Sequence, residues 1–492
     1  MILINILRKA FLLLVIVAFT PLQLWAQEDT QKPTVDLKTG ATFFMNPQGL
    51  DQDLPFWMHA NNDGRIDQNS ANALHYVEGY SQIFKNSVFE VEAGASFVSR
   101  DYADTQVSYF DKAYLKLHIY DFKFMAGRYI DPLAEKEEEL STGSFMYSRN
   151  ATPIPKIAFS TDGFAEVPGT NGIIRYNGLF AHGWLENDRY VQNAYLHEKY
   201  FYLSIKYDFF DAVGGIVHNV QWAGESQSLG ALPEGWQTYW EVITATGSSD
   251  ADAPGGERSN AVGNAVAAYD FSLGLFFDRF DLRAYRLFYL EDKVSTQFRS
   301  PWDGIWGLTI KPKNIQLVKN ITWEHVNTKR QDSFDFEPRG SASYYNNFLY
   351  RSGWTYQGRV IGNPMITTDG TINRPIYNNI IVAHHLGLSG ELLSNLDYKF
   401  LYTFSRNYGT WEDQIIQRLP QEQCGAVKGQ ICAELRPLSN VKQLNHSFLM
   451  ELRSVLPQNE RFSYGLTLSS DLGEFYGNRF GVGFNFEYQL LK

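Results

Sequence analysis

An aromatic ring set beside amides and charged groups suits sugar contact: the ring covers the apolar face of a pyranose while Asn, Asp, Glu and Arg pair with its hydroxyls. Several segments of this chain carry both kinds of group. Trp57 lies near Asn61, Asn62 and Asp63, and Tyr344, Tyr345, Tyr350 and Trp354 lie near Asn346, Asn347 and Arg351, with Trp411 further on. Trp57, Asn61, Tyr344, Tyr345, Arg351, Trp354 and Trp411 are therefore the candidate contacts to a polysaccharide. The competing use of such rings is packing, in an interfacial girdle or inside a plug.

Other reactive groups are sparse. Cys424 and Cys432 are expected to bond to each other, since an exported compartment permits a disulfide that stabilises its loop by ~2 to 3 kcal/mol. A metal site needs more ligands than two cysteines, and none lies at suitable spacing. The acidic run Glu135, Glu137, Glu138 and Glu139 reads as a solvated face, with surface Ca²⁺ as the alternative. There is no G-x-S-x-G, H-E-x-x-H, P-loop or G-x-G-x-x-G motif. His384 and His385 sit on an expected strand, so their rings point to opposite faces and cannot share a metal. Neither a cofactor nor an enzymatic activity is expected.

The elements that must position these groups are strands. Arg8 and Lys9 precede an apolar run from Ala10 to Phe19, about half of what a spanning helix needs, so residues 1–26 read as a signal peptide and 27–492 as one domain. Losing two basic side chains moves the formal charge from −11 to about −13, which with no Lys/Arg block argues against a nucleic-acid partner. Aromatics make up 15% of the chain, and the mean hydropathy of −0.29 conceals no second run of helix-spanning length. A membrane β-barrel reconciles the two, because lipid-facing apolar residues alternate with polar lumenal ones.

The last segment carries this pattern furthest. Phe480, Val482, Phe484, Phe486, Tyr488 and Leu490 alternate with Gly481, Gly483, Asn485, Glu487 and Gln489 over a length suited to a tilted bilayer crossing. Arg479, Gly481, Phe484 and Phe486 also resemble the signal read by barrel-assembly machinery, although the chain runs on to Lys492. That machinery and outer-membrane lipid are the expected partners of insertion. Similar segments place about eighteen strands, including two at residues 171–177 and 179–186 turned by Asn177-Gly178, a strong hairpin pair. Short turns alternate with long loops near residues 46–71, 131–170, 223–266, 327–375 and 407–443, as in outer-membrane barrels. Lipid cannot satisfy a free edge, so the sheet should close, with both termini in the periplasm. Residues 233–245 are expected to form an amphipathic helix with Trp236, Tyr239, Trp240 and Ile243 on one stripe, packed in the lumen or, alternatively, on the surface.

The chain resembles the Wzi-type capsule assembly family, on Pro55 to Asn61, Leu196-His197 to Tyr202, His218 to Trp222, and Tyr344 through Arg351 and Trp354 to Pro364. The resemblance implies an outer-membrane barrel of about eighteen strands with a lectin-like, non-enzymatic role in surface attachment or late assembly of capsular polysaccharide. The family's best-known form closes its barrel with a periplasmic helical bundle; residues 27–34 leave no space for one, so any closure must come from the loops. The rival functions are a porin-like channel for sugars or small solutes, and an outer-membrane lipase or acyltransferase using His118 or His446.

Overall fold

A strand with lipid on one side and protein interior on the other must alternate residue by residue, and eighteen segments do so in the computed structural model. It describes residues 34–103, 105–130, 139–251, 253–259, 261–291, 298, 300–331, 343–410, 415–418, 433–436 and 442–492. The wall strands are β1 (Thr34–Met45), β2 (Asn72–Lys85), β3 (Phe89–Tyr102), β4 (Thr105–Ile119), β5 (Phe122–Arg128) and β6 (Pro155–Thr161). There follow β7 (Ile174–Trp184), β8 (Tyr195–Lys206), β9 (Phe210–Trp222), β10 (Asn264–Phe276), β11 (Phe280–Leu290) and β12 (Gly304–Pro312). The last six are β13 (Asn320–Asn327), β14 (Ile381–Leu393), β15 (Leu396–Asn407), β16 (Gln443–Leu456), β17 (Asn459–Gly473) and β18 (Arg479–Leu491).

Each strand pairs antiparallel with its successor, and β1 pairs with β18, placing Phe43 opposite Phe484 and Thr39 opposite Tyr488. Closure satisfies every edge, which hydrocarbon requires. Outward residues form the apolar belt that lipid covers: Phe201, Leu203 and Ile205 on β8, Ile216 on β9, Phe271 and Leu273 on β10, Leu468 on β17 and Phe484 on β18 are 44–49% exposed.

The inner face is divided by height. Toward the periplasmic turns it is ionic, with Arg283 to Asp211 at 3.0 Å, Lys399 to Glu451 at 2.8 Å and Lys38 to Glu487 at 3.3 Å. Toward the outside it turns apolar, with Leu196, Val217, Val266, Leu287, Ile305, Val326 and Ile381 all buried. A wholly wet lumen would not select such residues; loops pack against them.

Two expected strands are corrected. Asn177-Gly178 is not a hairpin: Asn177 pairs with Tyr202 and Gly178 with Phe201 inside the single strand β7. Gly178 leaves space beside the Phe201 ring, 3.7 Å from where a Cβ would stand. The missing partner is β6, within the expected 131–170 loop, where Ile157 and Phe159 face outward and Lys156 faces in to Glu198 at 2.6 Å. Its seven residues are opened by a proline and closed by Ser160-Thr161, which reads as loop.

Among the described residues, three helices lie in the connections: α1 (Phe56–His59), α2 (Trp236–Thr244) and α3 (Gly255–Ser259). The lumenal placement of α2 is also corrected. Tyr239 of α2 packs on His182, His197 and Trp222, outward positions of β7, β8 and β9, so the helix lies on the outer wall.

Candidate functional site: a plugged lumen and its roof

Three long connections enter the lumen and bond both to one another and to the wall. Residues 46–71 enter through α1, where the Phe56 amide donates to Asp471 on β17 at 2.9 Å and Trp57 Nε1 donates to Thr403 Oγ1 on β15 at 3.1 Å. The Trp57 ring lies 5.0 Å from that of His385, whose Nε2 is 2.8 Å from the Leu140 carbonyl. Leu140 belongs to the second connection, which also reaches β13, where the Thr142 amide donates to Glu324 at 2.6 Å. The third connection, 328–380, lies over both.

Its aromatic residues are the centre of the plug. The Tyr345 hydroxyl donates to the Phe145 carbonyl at 2.7 Å and accepts from the Asn363 amide at 2.9 Å. A Cβ on Gly362 would collide with that hydroxyl and with the Phe145 carbonyl, so only glycine permits the approach. Trp354 Nε1 donates to the Met146 carbonyl at 3.1 Å, Ser148 N to Ile361 O at 2.9 Å, and the Tyr344 hydroxyl to Asp303 at 2.9 Å. Burial holds the Tyr344 and Tyr345 phenols well above their usual range. These residues and the apolar upper wall form one hydrophobic cluster.

The sequence candidates thus divide into three groups. Tyr344, Tyr345 and Trp354 are fully buried, Tyr350 is 1% exposed, and all four serve the plug. Trp57 and Asn61 line a cavity of about 290 Å³ beneath it, with Arg65, Arg149, Tyr76 and the Glu451–Arg453 pair. Asn61 adopts φ 53°, its amide donates to Thr142 O at 3.1 Å, and its Oδ1 has no partner. Arg351 alone reaches the outer surface, its guanidinium 4.9 Å over the Tyr190 ring. Trp411, Cys424 and Cys432 lie outside the described residues, as do Glu135, Glu137 and Glu138.

Around Arg351 the roof is held from below: Ser352 Oγ donates to Ile372 O at 2.7 Å, Tyr190 N to Ser352 Oγ at 2.8 Å, and Arg374 N to Arg351 O at 2.8 Å. It exposes Phe348 and Tyr377 with Arg374 and Asn373, again rings beside hydrogen-bonding groups. The sequence reading missed Phe348 and Arg374, although they lie in the 327–375 loop it named, and Tyr377 just beyond that loop. It also missed Asp303 and Glu324, whose only sign was an acidic group among apolar neighbours. His384 and His385 do face opposite sides, toward Trp323 and Trp57 respectively. His118 meets Asp162 at 2.9 Å and Glu92 at 3.4 Å, and His446 meets the Tyr402 hydroxyl at 3.0 Å; no serine partner is seen at either among the described residues.

The capsule assembly protein Wzi family model matches residues 57–370, more than half of the chain. The protein belongs to the Wzi family. Wzi of Escherichia coli, an outer-membrane protein involved in group 1 capsule assembly and a carbohydrate-binding β-barrel, superposes with a TM-score of 0.55 at 11% identity, covering 93% of this chain and 85% of that one. OprD of Pseudomonas aeruginosa, at 11% identity, covers 95% and 98% of the two chains with a TM-score of 0.45. The DcaP channel of Acinetobacter baumannii, at 8% identity, covers 95% and 99% with a TM-score of 0.41. No curated protein matches the sequence. The chain is a Wzi-family outer-membrane barrel, and the matched region spans all three plug-forming connections up to Gly370 except the start of the first.

Proposed function

We propose that this Wzi-family barrel holds capsular or other exported polysaccharide at the cell surface, without chemistry on it, through the roof around Arg351. The observation that carries this reading is the interlocked plug: it fills the upper lumen with a protein-like core and leaves a supported outer surface of rings, amides and guanidinium groups. Phe348 and Tyr377 would take the apolar faces of sugar rings, and Arg351, Asn373 and Arg374 the hydroxyl or carboxylate groups. Trp57, Asn61, Tyr344, Tyr345 and Trp354 then act by holding that surface in shape. Insertion would proceed through the barrel-assembly machinery, with no nucleic-acid partner.

Binding of purified capsular glycan to the detergent-solubilised barrel tests the reading, and the expected outcome is saturable binding weakened by R351A. Undiminished capsule retention in a strain lacking the protein would overturn it. Planar bilayers test the channel alternative: a plugged barrel passes almost no current, whereas steady open-pore conductance at neutral pH would favour a solute channel.

A further inference from the structure

The outer wall of β7, β8 and β9 breaks the rule that lipid-facing positions are apolar. Near its outer end it carries His182, His197, Lys199 and His218, in register across the three strands, with His182 opposite His197 and Lys199 opposite His218. Hydrocarbon would leave these groups without partners. Helix α2 packs over His182, His197 and Lys199 instead. Its Tyr239 ring stands 5.7 Å from His182 and 5.5 Å from His197 and stacks on Trp222 at 5.2 Å. Lys199 Nζ donates to the Val242 and Ile243 carbonyls at 3.3 and 2.5 Å. Those carbonyls are in the last turn, where the helix dipole is negative, so a cation there is favoured.

With one face of α2 committed to the wall, the other presents Trp236 and Trp240, one turn apart, 76% and 58% exposed. Both are continuous with the belt that lipid already covers: Phe180 beneath Tyr239 is outward-facing, and Trp184 and Trp302 are exposed at the same end of the wall. Tryptophan at that height prefers the boundary between acyl chains and headgroups, where its ring is buried and its N–H stays hydrated.

We propose that α2 is an interfacial anchor, seating Trp236 and Trp240 in the outer leaflet at the chain–headgroup boundary while it seals the polar row of β7 to β9 from lipid. The occupant of this surface is membrane lipid, and the anchor does not depend on the polysaccharide role. The test uses the full barrel in phospholipid vesicles whose chains are brominated either near the headgroup or near the methyl ends. The fluorescence of the two rings is the difference between the native protein and W236F/W240F, with W236F and W240F singly as the recourse should the double variant fail to insert. The expected result is strong quenching by the shallow bromines, weaker quenching by the deep ones, and poor access for aqueous iodide. Stronger quenching by the deep bromines would overturn the interfacial depth. No quenching by either would overturn the anchor: iodide access would place the rings in water, and its absence would place them against another protein or a second copy.

Discussion

Trp354 and Arg351 stand three positions apart and make different predictions. Trp354 is buried with its N–H bonded to Met146, so W354A opens a cavity costing about 3 to 5 kcal/mol of plug stability. Faster proteolysis of the loops with the wall intact is the expected outcome, read by heat-modifiable migration on a gel, and glycan affinity falls as a consequence. R351A removes a group over Tyr190 at the surface; affinity falls while protease resistance stays native. Y345F deletes a hydroxyl that both donates and accepts inside the plug, and leaves the Phe145 carbonyl unpaired, so a loss of about 1 to 3 kcal/mol in the unfolding of the loops is expected. The sequence located these segments but could not sort their residues. A tryptophan with a large apolar face and one N–H suits a sugar or a plug equally, and which side of a loop turns inward is decided by distant partners such as Met146 and Asp303.

Among elements, α1 carries the pH dependence. Burial, then the charges of Arg359 and Arg479, hold His59 well below the usual histidine range. Above pH ~6.5 the imidazole is neutral whether α1 is docked or released, and docking is fully favourable. As pH falls through that value the released loop takes up a proton that the docked one refuses, so docking weakens by at most about 1.4 kcal/mol per pH unit. Conductance in planar bilayers should therefore rise on acidification to about pH 5 and stay flat in H59Q; a flat native trace would remove His59 from plug control. Strand legibility followed the same logic of local against distant cause. The long alternations of β8, β10 and β18 can be read directly, because lipid imposes them. Asn177-Gly178 misled because its turn chemistry is local, whereas its strand conformation comes from pairing with β8 and from the ring of Phe201 lying across Gly178. The helix α2 was legible, but neither its side of the wall nor its packing face was: Tyr239 turns to the wall while Trp236 and Trp240, read on the same stripe, face away from it, and Lys199, which binds the helix there, lies far away in sequence.

For the molecule as a whole, closure followed from a solvation argument and the strand number from the alternating segments, whose count of eighteen survived because one strand read as two offset another read as none. The filling of the lumen did not follow, because a porin and a plugged barrel share the same wall pattern. Loops that enter from after β1, β5 and β13 meet only in the centre, and each completes the hydrogen bonding of the others. That origin has a consequence in time. The three loops leave the wall at separate points of its circumference, so they cannot interlock until the sheet has become a ring. If the ring closes before the last loop settles, the envelope carries a brief unguarded hole that this loop then stops.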